Sequence, residues 1–449
     1  MKRVWGAALC AVIIAGIAGV TTTAGAQSSD EKPKATDVGI TDKEIHIAVI
    51  ADVDNTIVPN LFKASPDAVK GFAKYINSKA GGGGLAGRKL VVDFYDSKLN
   101  PNATTNAEIT ACENDVAMVG TSAVFLTSVD NMRNCKDSTG AATGLPDVPF
   151  VSTALVHQCS DQSFPIAPPQ VDCATKDAHP QTFHANVARG RYYNKKFGEG
   201  KLHGVYVFGN DSKSARDSSF ASLGALRDIG IKSDKDFDLP GASPQSAYTP
   251  VVQAMKDNGS NYGQAITASA MVLLRKEAAL QGVTDVKVWD CGVGCYDEEN
   301  FLKAGGSDVD DQYVDTLFLP FYSKADQKAN KMTGNFVKYT GADNIASFGA
   351  YAWASGVAFR DAVNAQVKAG GVNSVTRKTI FEQLNKINKF DAEGMFAPID
   401  LAGRQASNCS VTMQVQNGEF VRVSPKKAGT FKCWDDGLIE RQLDLYGTS

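Results

Sequence analysis

The alternation of strand-like and helix-like segments most limits the folds open to this chain. A predicted strand at 45–51 is followed by a helix at 66–79 and a strand at 89–95. A second round begins with a strand at 204–208 and a helix at 212–229. Such alternation produces βαβ units with parallel strands. The sequence therefore predicts an α/β protein with two similar lobes.

Further predicted elements extend both rounds. They are a helix at 103–114 and strands at 116–119 and 149–152 in the first round, then strands at 264–269, 286–290 and 314–319 and helices at 270–281, 326–340, 347–368 and 376–387. Ser65 is the predicted N-cap of the first helix. Residues 395–423 are predicted to be antiparallel, with a hairpin turn at Asn417-Gly418. The irregular segment 136–183 predicts a surface excursion outside the core.

The first residues have the pattern of an export signal. Met1-Lys2-Arg3 is positively charged, residues 7–20 are apolar, and Ala24-Gly25-Ala26 is a small-residue cleavage site. The apolar run is shorter than the roughly 20 residues that span a bilayer. We therefore predict a signal peptide at 1–26 rather than a retained anchor, and no stable membrane insertion after cleavage. Leu9 stands where a lipid-modified Cys10 would need a small residue.

Charge and cysteine content fit an exported protein. The formal net charge is −3, and such mild acidity argues against a nucleic-acid partner. Nine cysteines become eight once Cys10 is removed, and an even number suggests disulfides. Other connectivities are open, but we predict that neighbours pair: Cys112 with Cys135, Cys159 with Cys173, Cys291 with Cys295, and Cys409 with Cys433.

Motifs for cofactors, metals and catalysis give no positive signal. Residues 82–87 match GxGxxG, but they follow a helix and precede a strand, so a turn is the better interpretation. His157, His179 and His184 lie near Cys159 and Cys173 without the spacing of a zinc site. We predict no metal and no cofactor. A catalytic triad stays open, because its members need not be close in sequence.

Polar residues follow several predicted strands, at the edge where open α/β sheets bind ligands. They are Asp52–Thr56, Thr121, Ser122, Ser152, Thr153, Asn210, Asp211, Ser269 and Asp290. Hydroxyl and backbone N–H groups there suit a carboxylate or another polar group. Any one of them is equally compatible with a helix N-cap. Thr121-Ser122 and Ser152-Thr153 favour ligand binding, because they would lie on adjacent strands.

The order of motifs in the first half resembles a known family. The motifs are Phe72–Asn77, the glycine turn 81–84, Leu85–Leu90, Asp96 followed by Asn100-Pro101, Val119–Ser122 and Pro149–Thr153. They are similar to type I periplasmic binding proteins, above all the leucine/isoleucine/valine-type subunits of ABC importers. The resemblance covers residues 45 to about 423.

The resemblance implies two Rossmann-like lobes joined by three crossovers, with a ligand cleft between them. The crossovers would lie near 185–189, 320–323 and 391–397, and the lobes would close by a hinge motion. The implied ligand contacts are Ser122, Ala123, Ser152 and Thr153 in the first lobe, and Ser214, Ser269 or Ala270 and the loop after 286–290 in the second. Phe321 and Tyr322 would lie near the cleft floor.

The implied domain boundaries follow from those crossovers. A flexible lead-in would cover 27–40, lobe 1 would cover 41–187 and 322–392, lobe 2 would cover 188–321 and 393–435, and a C-terminal tail would cover 436–449. The family usually places an acid for the ligand ammonium where this chain has Val293. Asp290 or Asp211 would have to substitute. We therefore expect an amino acid, an amide, an organic acid or a related compound.

The expected function is solute capture outside the cytoplasm and delivery to an ABC importer permease by a monomer, with no enzymatic activity. Two alternatives stay open. A ligand-binding subunit of a sensor would have the same sequence features. An exported α/β hydrolase would require Ser122 or Ser152 to be hydrogen-bonded to His157.

Overall fold

A four-stranded parallel sheet organises the first third of the chain. The computed structural model describes residues 31–56 and 58–445, so the predicted signal peptide lies outside the described residues. The strands are β1 (Glu44–Ala51), β2 (Lys89–Asp96), β3 (Ala117–Val119) and β4 (Asp147–Val148), in the spatial order β2-β1-β3-β4. The helices of this part are α1 (Ala64–Asn77), α2 (Pro101–Asn114), α3 (Asp130–Arg133) and α4 (Leu155–Gln158).

A larger mixed sheet follows. Its strands are β6 (His203–Gly209), β7 (Lys232–Leu239), β8 (Tyr262–Ala265), β9 (Val288–Cys291), β10 (Tyr313–Thr316), β11 (Cys409–Gln416), β12 (Glu419–Ser424) and β13 (Lys432–Cys433). The spatial order is β12-β11-β10-β9-β8-β6-β7, with β13 on β11. A separate antiparallel pair joins β5 (Gln181–Asn186) to β14 (Leu438–Leu443). The predicted α/β fold with two parallel cores is confirmed.

The remaining helices pack on both sheets. They are α5 (Ala188–Phe197), α6 (Lys213–Leu223), α7 (Thr249–Asn258), α8 (Ala268–Leu280), α9 (Lys324–Ala329), α10 (Lys331–Thr340), α11 (Ser347–Gly370) and α12 (Arg377–Leu384). Although α10 and α11 lie between β10 and β11 of the second sheet in sequence, they pack against α1 beside the first sheet. Among the described residues, no helix combines the length and hydropathy needed to span a bilayer.

Local sequence explains several of these elements. Asn100 caps α2 by accepting from the backbone N–H groups of Asn102 and Ala103, and Pro101 supplies the first helical residue. Asn417 and Gly418 have φ angles of 52° and 75°, which suit the predicted hairpin turn between β11 and β12. The hairpin prediction is confirmed.

Two sequence predictions need correction. Ser65 is not the N-cap of α1, because the helix already begins at Ala64; the Ser65 side chain is buried and contacts Ser122. The segment 136–183 does not lie wholly outside the core, since it contains β4, and Phe164 and Ile166 are buried in the main hydrophobic core. Its short apolar segments pack against the sheet between the irregular turns.

The two ends of the described chain are attached to the fold. Lys34 donates its backbone N–H to the Asn373 side chain, and the backbone N–H of Arg377 donates to Asp37. Lys34 and Asp37 lie in the segment 27–40 that we assigned to the lead-in, and their partners lie between α11 and α12 and at the start of α12. Residues 438–443, within the segment assigned to the C-terminal tail, form β14.

The eight cysteines of the described chain form four disulfides between sequence neighbours. The bonds are Cys112–Cys135, Cys159–Cys173, Cys291–Cys295 and Cys409–Cys433. This is the predicted connectivity. The Cys112–Cys135 bond joins the end of α2 to the residues after α3, and the Cys409–Cys433 bond joins β11 to β13.

Candidate functional site

The carboxyl ends of β1, β3 and β4 bring the first group of predicted ligand residues together. Ser122 lies between Ala51 and Val151 through two parallel bridges. Thr121 and Ala123 are its neighbours in sequence, while Ser152 and Thr153 follow Val151. The structure therefore places these two polar pairs on adjacent strands, as the sequence predicted. Thr56 is exposed in the loop after β1.

The hydroxyl groups of this edge are engaged within the protein. Thr121 donates to the Asp147 carboxylate at 2.6 Å, and Thr153 donates to the Val124 carbonyl oxygen at 2.8 Å. The Ser122 hydroxyl lies 2.8 Å from the Ser65 hydroxyl. Thr121 and Ser122 are fully buried, whereas Ser152 and Thr153 are half-buried. Among these hydroxyls, those of Ser152 and Thr153 are the more accessible.

Asp52 organises the loops around this edge. Its buried carboxylate accepts from the Ser97 hydroxyl at 2.6 Å and from the backbone N–H groups of Leu99 and Val124, each at 2.8 Å. One side chain thus joins the loops that follow β1, β2 and β3. Its position at a strand end was visible in the sequence, but its three partners come from distant segments.

The corresponding edge of the second sheet carries the other predicted residues. Asp211 is exposed after β6 and accepts from the backbone N–H of Gly241 at 2.9 Å. Ser214 is half-buried in the first turn of α6. Ser269 is exposed and Ala270 is buried in the first turn of α8. These residues lie at helix starts, and Thr267, which the sequence did not single out, caps α8.

Asp290 belongs to a buried polar cluster on one face of the second sheet. Its carboxylate accepts from Arg189 Nε at 3.1 Å and from the hydroxyl groups of Tyr193 and Tyr262, both at 2.8 Å. Desolvation lowers the pKa of Arg189, but the Asp290 carboxylate raises it above its usual range. Burial raises the pKa of Asp315, beside Arg189, to about 7.

The Cys291–Cys295 ring shapes the loop after β9. A short 3₁₀ turn, Val293–Cys295, follows the half-buried Gly292. This turn contacts α11, which packs beside the first sheet. On its other side, a methyl group built on Gly294 would lie 3.2 Å from the Ile266 carbonyl oxygen after β8. The ring therefore lies where elements of both halves meet.

The crossovers form the connection between the two sheets. The backbone N–H of Leu319 donates to the Met395 carbonyl oxygen at 2.9 Å, and that of Ala397 donates to the Leu317 carbonyl oxygen at 2.7 Å. Phe321 is buried and Tyr322 is half-buried at the end of this paired segment. Two crossovers are therefore hydrogen-bonded to each other, and the third contains β5, which pairs with β14.

The hydrogen bonds of His157 bear on the hydrolase alternative. His157 Nε2 lies 2.8 Å from the Asp147 carboxylate, and both side chains are buried. Ser122 is bonded to Ser65 instead. The arrangement that would have favoured a hydrolase is therefore not found. Within the part of the chain that the structure describes, no group of three or more His, Cys, Asp or Glu side chains has the geometry to hold a metal ion.

Two sheets with parallel cores, connected by segments that are hydrogen-bonded to each other, make up the fold. The family model for periplasmic binding proteins matches residues 44–419. The chain therefore belongs to the periplasmic binding protein family, whose members bind small molecules outside the cytoplasm. No curated protein sequence matches the chain significantly.

Solved structures of binding proteins share this fold at low sequence identity. A leucine-binding protein from Thermotoga maritima MSB8 is 16% identical, with a TM-score of 0.62 over 85% of this chain and 98% of that chain. A fatty acid ABC transporter substrate-binding protein from Thermomonospora curvata is 14% identical, with a TM-score of 0.64 over 90% and 99%. A branched-chain amino acid transporter substrate-binding protein from Streptococcus pneumoniae, in complex with isoleucine, is 16% identical, with a TM-score of 0.61 over 85% and 100%.

Proposed function

We propose that this protein is exported, captures a small solute between its two lobes by hinge closure, and delivers the solute to an ABC importer as a monomer. The observation that carries the proposal is the hydrogen-bonded pair of crossovers, 317–319 and 395–397, between two sheets of the binding-protein fold. A paired connection of this kind permits rotation of the lobes with few changes in backbone angles. The fold neighbours that bind leucine, isoleucine or fatty acids support a role in solute binding.

The proposed lobes follow the packing of the helices. Lobe 1 comprises 41–187 and 322–392, because α10 and α11 pack on α1. Lobe 2 comprises 188–321 and 393–435, because β11 and β12 complete the second sheet. The ligand would lie between the carboxyl ends of the strands in the two lobes, where open α/β sheets bind ligands.

The proposed first-lobe contacts are Ser152, Thr153 and the backbone at Ala123. The hydroxyl hydrogens of Thr121 and Ser122 already have acceptors within the lobe. These two residues would therefore hold the carboxyl ends of the strands in place rather than contact the ligand. In the second lobe, Ser214, Ser269, Ala270 and the exposed Asp211 lie at the facing edge. Phe321 and Tyr322 would form part of the cleft floor. The solute would be an amino acid, an amide, an organic acid or a related compound.

A thermal-shift screen tests the proposal. The mature chain, residues 27–449, is mixed with amino acids, carboxamides, organic acids and aromatic compounds, and hits are checked by small-angle X-ray scattering. A ligand at 100 times its Kd stabilises the folded state by about 2.7 kcal/mol. We expect a higher Tm and a smaller radius of gyration with at least one compound class.

A pair of variants checks the location of the site. Ser152→Ala with Thr153→Ala should weaken binding of any hit at least tenfold, because both hydroxyls lie at the proposed edge. Thr105→Ala, at an exposed position in α2, is the control and should bind as the unmodified protein does. The absence of any shift across all compound classes would contradict the proposed function.

A further inference from the structure

Several polar atoms of the second lobe are buried without a hydrogen-bond partner among the described residues, and three of them lie beside Asp290. These three are Nε2 and Oε1 of Gln264 and Nη2 of Arg189. Gln264 is fully buried, and Arg189 is 8% exposed. Leaving such groups unpaired costs free energy, so buried polar atoms are normally satisfied by protein, water or a ligand. Two unpaired side chains in one place therefore suggest a binding site.

The two side chains flank the same carboxylate. Gln264 in β8 is in register with Asp290 in β9, so their side chains project from the same face of the sheet. Arg189 reaches that face from the first turn of α5 and donates its Nε to Asp290 at 3.1 Å. Asp290 thereby holds Arg189 through Nε and leaves Nη2 without a partner.

An open position lies beside them, at the carboxyl end of β9. Gly292 has an extended backbone, so strand alternation places position 292 on the same face as Asp290. A methyl group built on Gly292 would meet no atom within 4 Å. Gly292 is also half-buried rather than buried, so the space reaches the proposed ligand edge. A larger residue here would fill the space.

The charges of the cluster favour a neutral occupant. Asp290 already pairs with Arg189, and Asp315 is a second acid within the same cluster. Burial raises the pKa of Asp315 to about 7, so this carboxyl holds its proton more tightly than an exposed Asp and is partly ionised at neutral pH. An additional buried anion would meet this acidic environment and lack a free cation to balance it.

The unpaired atoms determine which neutral group fits. They offer two N–H donors, Arg189 Nη2 and Gln264 Nε2, and one carbonyl acceptor, Gln264 Oε1. A carboxamide is complementary, because its oxygen accepts two hydrogen bonds and its N–H donates one. We propose that Arg189 and Gln264 bind a neutral carboxamide group of the transported solute. This inference rests on the proposed function and names the chemical class that the second lobe recognises.

Matched probes test the chemical class. Isovaleramide with isovalerate, and benzamide with benzoate, are titrated calorimetrically against the mature chain at pH 7.5. We expect at least one amide to bind at least tenfold more tightly than its carboxylate, because the carboxylate lacks the N–H donor and adds a charge. Equal binding within a pair, or binding only of compounds without a carboxamide, would overturn the inference.

Gln264→Met tests the assigned residue. Methionine keeps the unbranched shape, so the variant should bind the amide at least tenfold more weakly. The Tm of the ligand-free variant should stay the same or rise, because two unpaired buried atoms are removed. A lower ligand-free Tm would show that Gln264 is already satisfied in the free protein and would count against the inference.

Gln312→Met is the matched control in the same sheet. Gln312 is fully buried and differs from Gln264 in that its Nε2 donates to the carbonyl oxygens of Trp289 and Tyr313, although its Oε1 has no partner among the described residues. The control should have a lower Tm and amide affinity within twofold of the unmodified protein. If solutes bind but Gln264→Met does not weaken the amide, the inference fails and the proposed function stands. If no compound class binds, the proposed function fails.

Discussion

At the scale of single residues, buried polar groups hold the functional edge of the first lobe in place. Asp147 accepts from Thr121 at 2.6 Å and lies 2.8 Å from His157 Nε2. All three side chains are fully buried. Removing one member of such a group leaves the others without compensation, which costs more than the group itself contributes to stability.

Asp147→Ala should lower the free energy of unfolding by about 3–5 kcal/mol, because His157 and Thr121 lose their buried partner. Urea unfolding followed by circular dichroism measures the change. The control is Glu299→Ala, which removes an exposed ion pair with Lys303 and should have no measurable effect. Equal effects of the two substitutions would contradict this account of the edge.

Glu108 predicts a specific pH dependence. Burial raises its pKa to about 7, against the lowering effect of the Asn131 hydrogen bond, and Asp147 and Asp130 add to the rise. The protonated Glu108 side chain therefore makes its full contribution to the free energy of unfolding below its unfolded pKa of about 4.5. That contribution is lost as the pH rises through the folded pKa of about 7. Glu108→Gln should therefore lose less stability between pH 5 and pH 8 than the unmodified protein.

The expected difference for Glu108→Gln is at most about 3 kcal/mol, from the size of the pKa shift. Urea unfolding at pH 5 and pH 8 provides the measurement. Glu113→Gln, at an exposed position on the same helix, should follow the pH dependence of the unmodified protein. If all three proteins lost the same stability between pH 5 and pH 8, the raised pKa of Glu108 would be refuted.

At the scale of elements, α1 and α11 approach closely through small residues. A methyl group built on Gly349 would lie 3.0 Å from the Ala64 carbonyl oxygen, and one built on Gly356 would lie 2.5 Å from the Phe72 ring. The two glycines are seven residues apart, so they lie on the same face of α11. This face explains why a helix that lies between two strands of the second sheet in sequence packs beside the first sheet.

Gly356→Val should destabilise the protein by about 1–3 kcal/mol, because its side chain must displace the Phe72 ring in a packed core. Thermal and urea unfolding measure the loss. Ala365→Val makes a comparable change at an exposed position of the same helix and serves as the control. A Gly356→Val variant as stable as the control would contradict the packing of α1 on α11.

At the scale of the whole molecule, a continuous aromatic contact joins the two sheets. The Tyr351 ring on α11 lies 4.5 Å from the Phe150 ring after β4, 5.6 Å from the Phe318 ring after β10 and 5.1 Å from the Phe396 ring in the paired crossover. Distances are between ring centroids. The hydrophobic core therefore continues through the crossovers, and the lobes should unfold together.

Tyr351→Ala should lower the free energy of unfolding by about 3–5 kcal/mol and separate one calorimetric transition into two. The reason is that the aromatic link between the sheets is lost while each sheet keeps its own core. Tyr351→Phe retains the ring and should keep the single transition. If Tyr351→Ala still unfolds in one transition, the coupling of the lobes lies elsewhere.

Much of the fold could be predicted from short stretches of sequence. Hydrophobic periodicity identified most strands of both parallel cores, such as β1 and β6, because a buried strand is marked by its own residues. Neighbouring cysteines paired as predicted, and Asn417-Gly418 formed the expected turn. These features depend on residues close together in the chain.

Other elements could not be found in this way. The strand β7, Lys232–Leu239, carries five charged residues at a sheet edge and lacks the pattern of a buried strand. The pairing of β5 with β14 joins residues more than 250 positions apart. Such strands form because a partner is available in the folded protein, and that partner is invisible to local patterns.

The sequence by itself determined that this chain is an α/β protein with two parallel cores, because the hydrophobic periodicity of a strand or a helix depends only on residues close together in the chain. Only the tertiary structure decided which polar side chains are already hydrogen-bonded within the protein and which are left without a partner. Asp290, a candidate partner for a ligand amine, is held by Arg189, while Gln264, which no motif marked, is left unpaired. The physical reason is that a side chain's hydrogen-bond partners come from segments that meet only after folding.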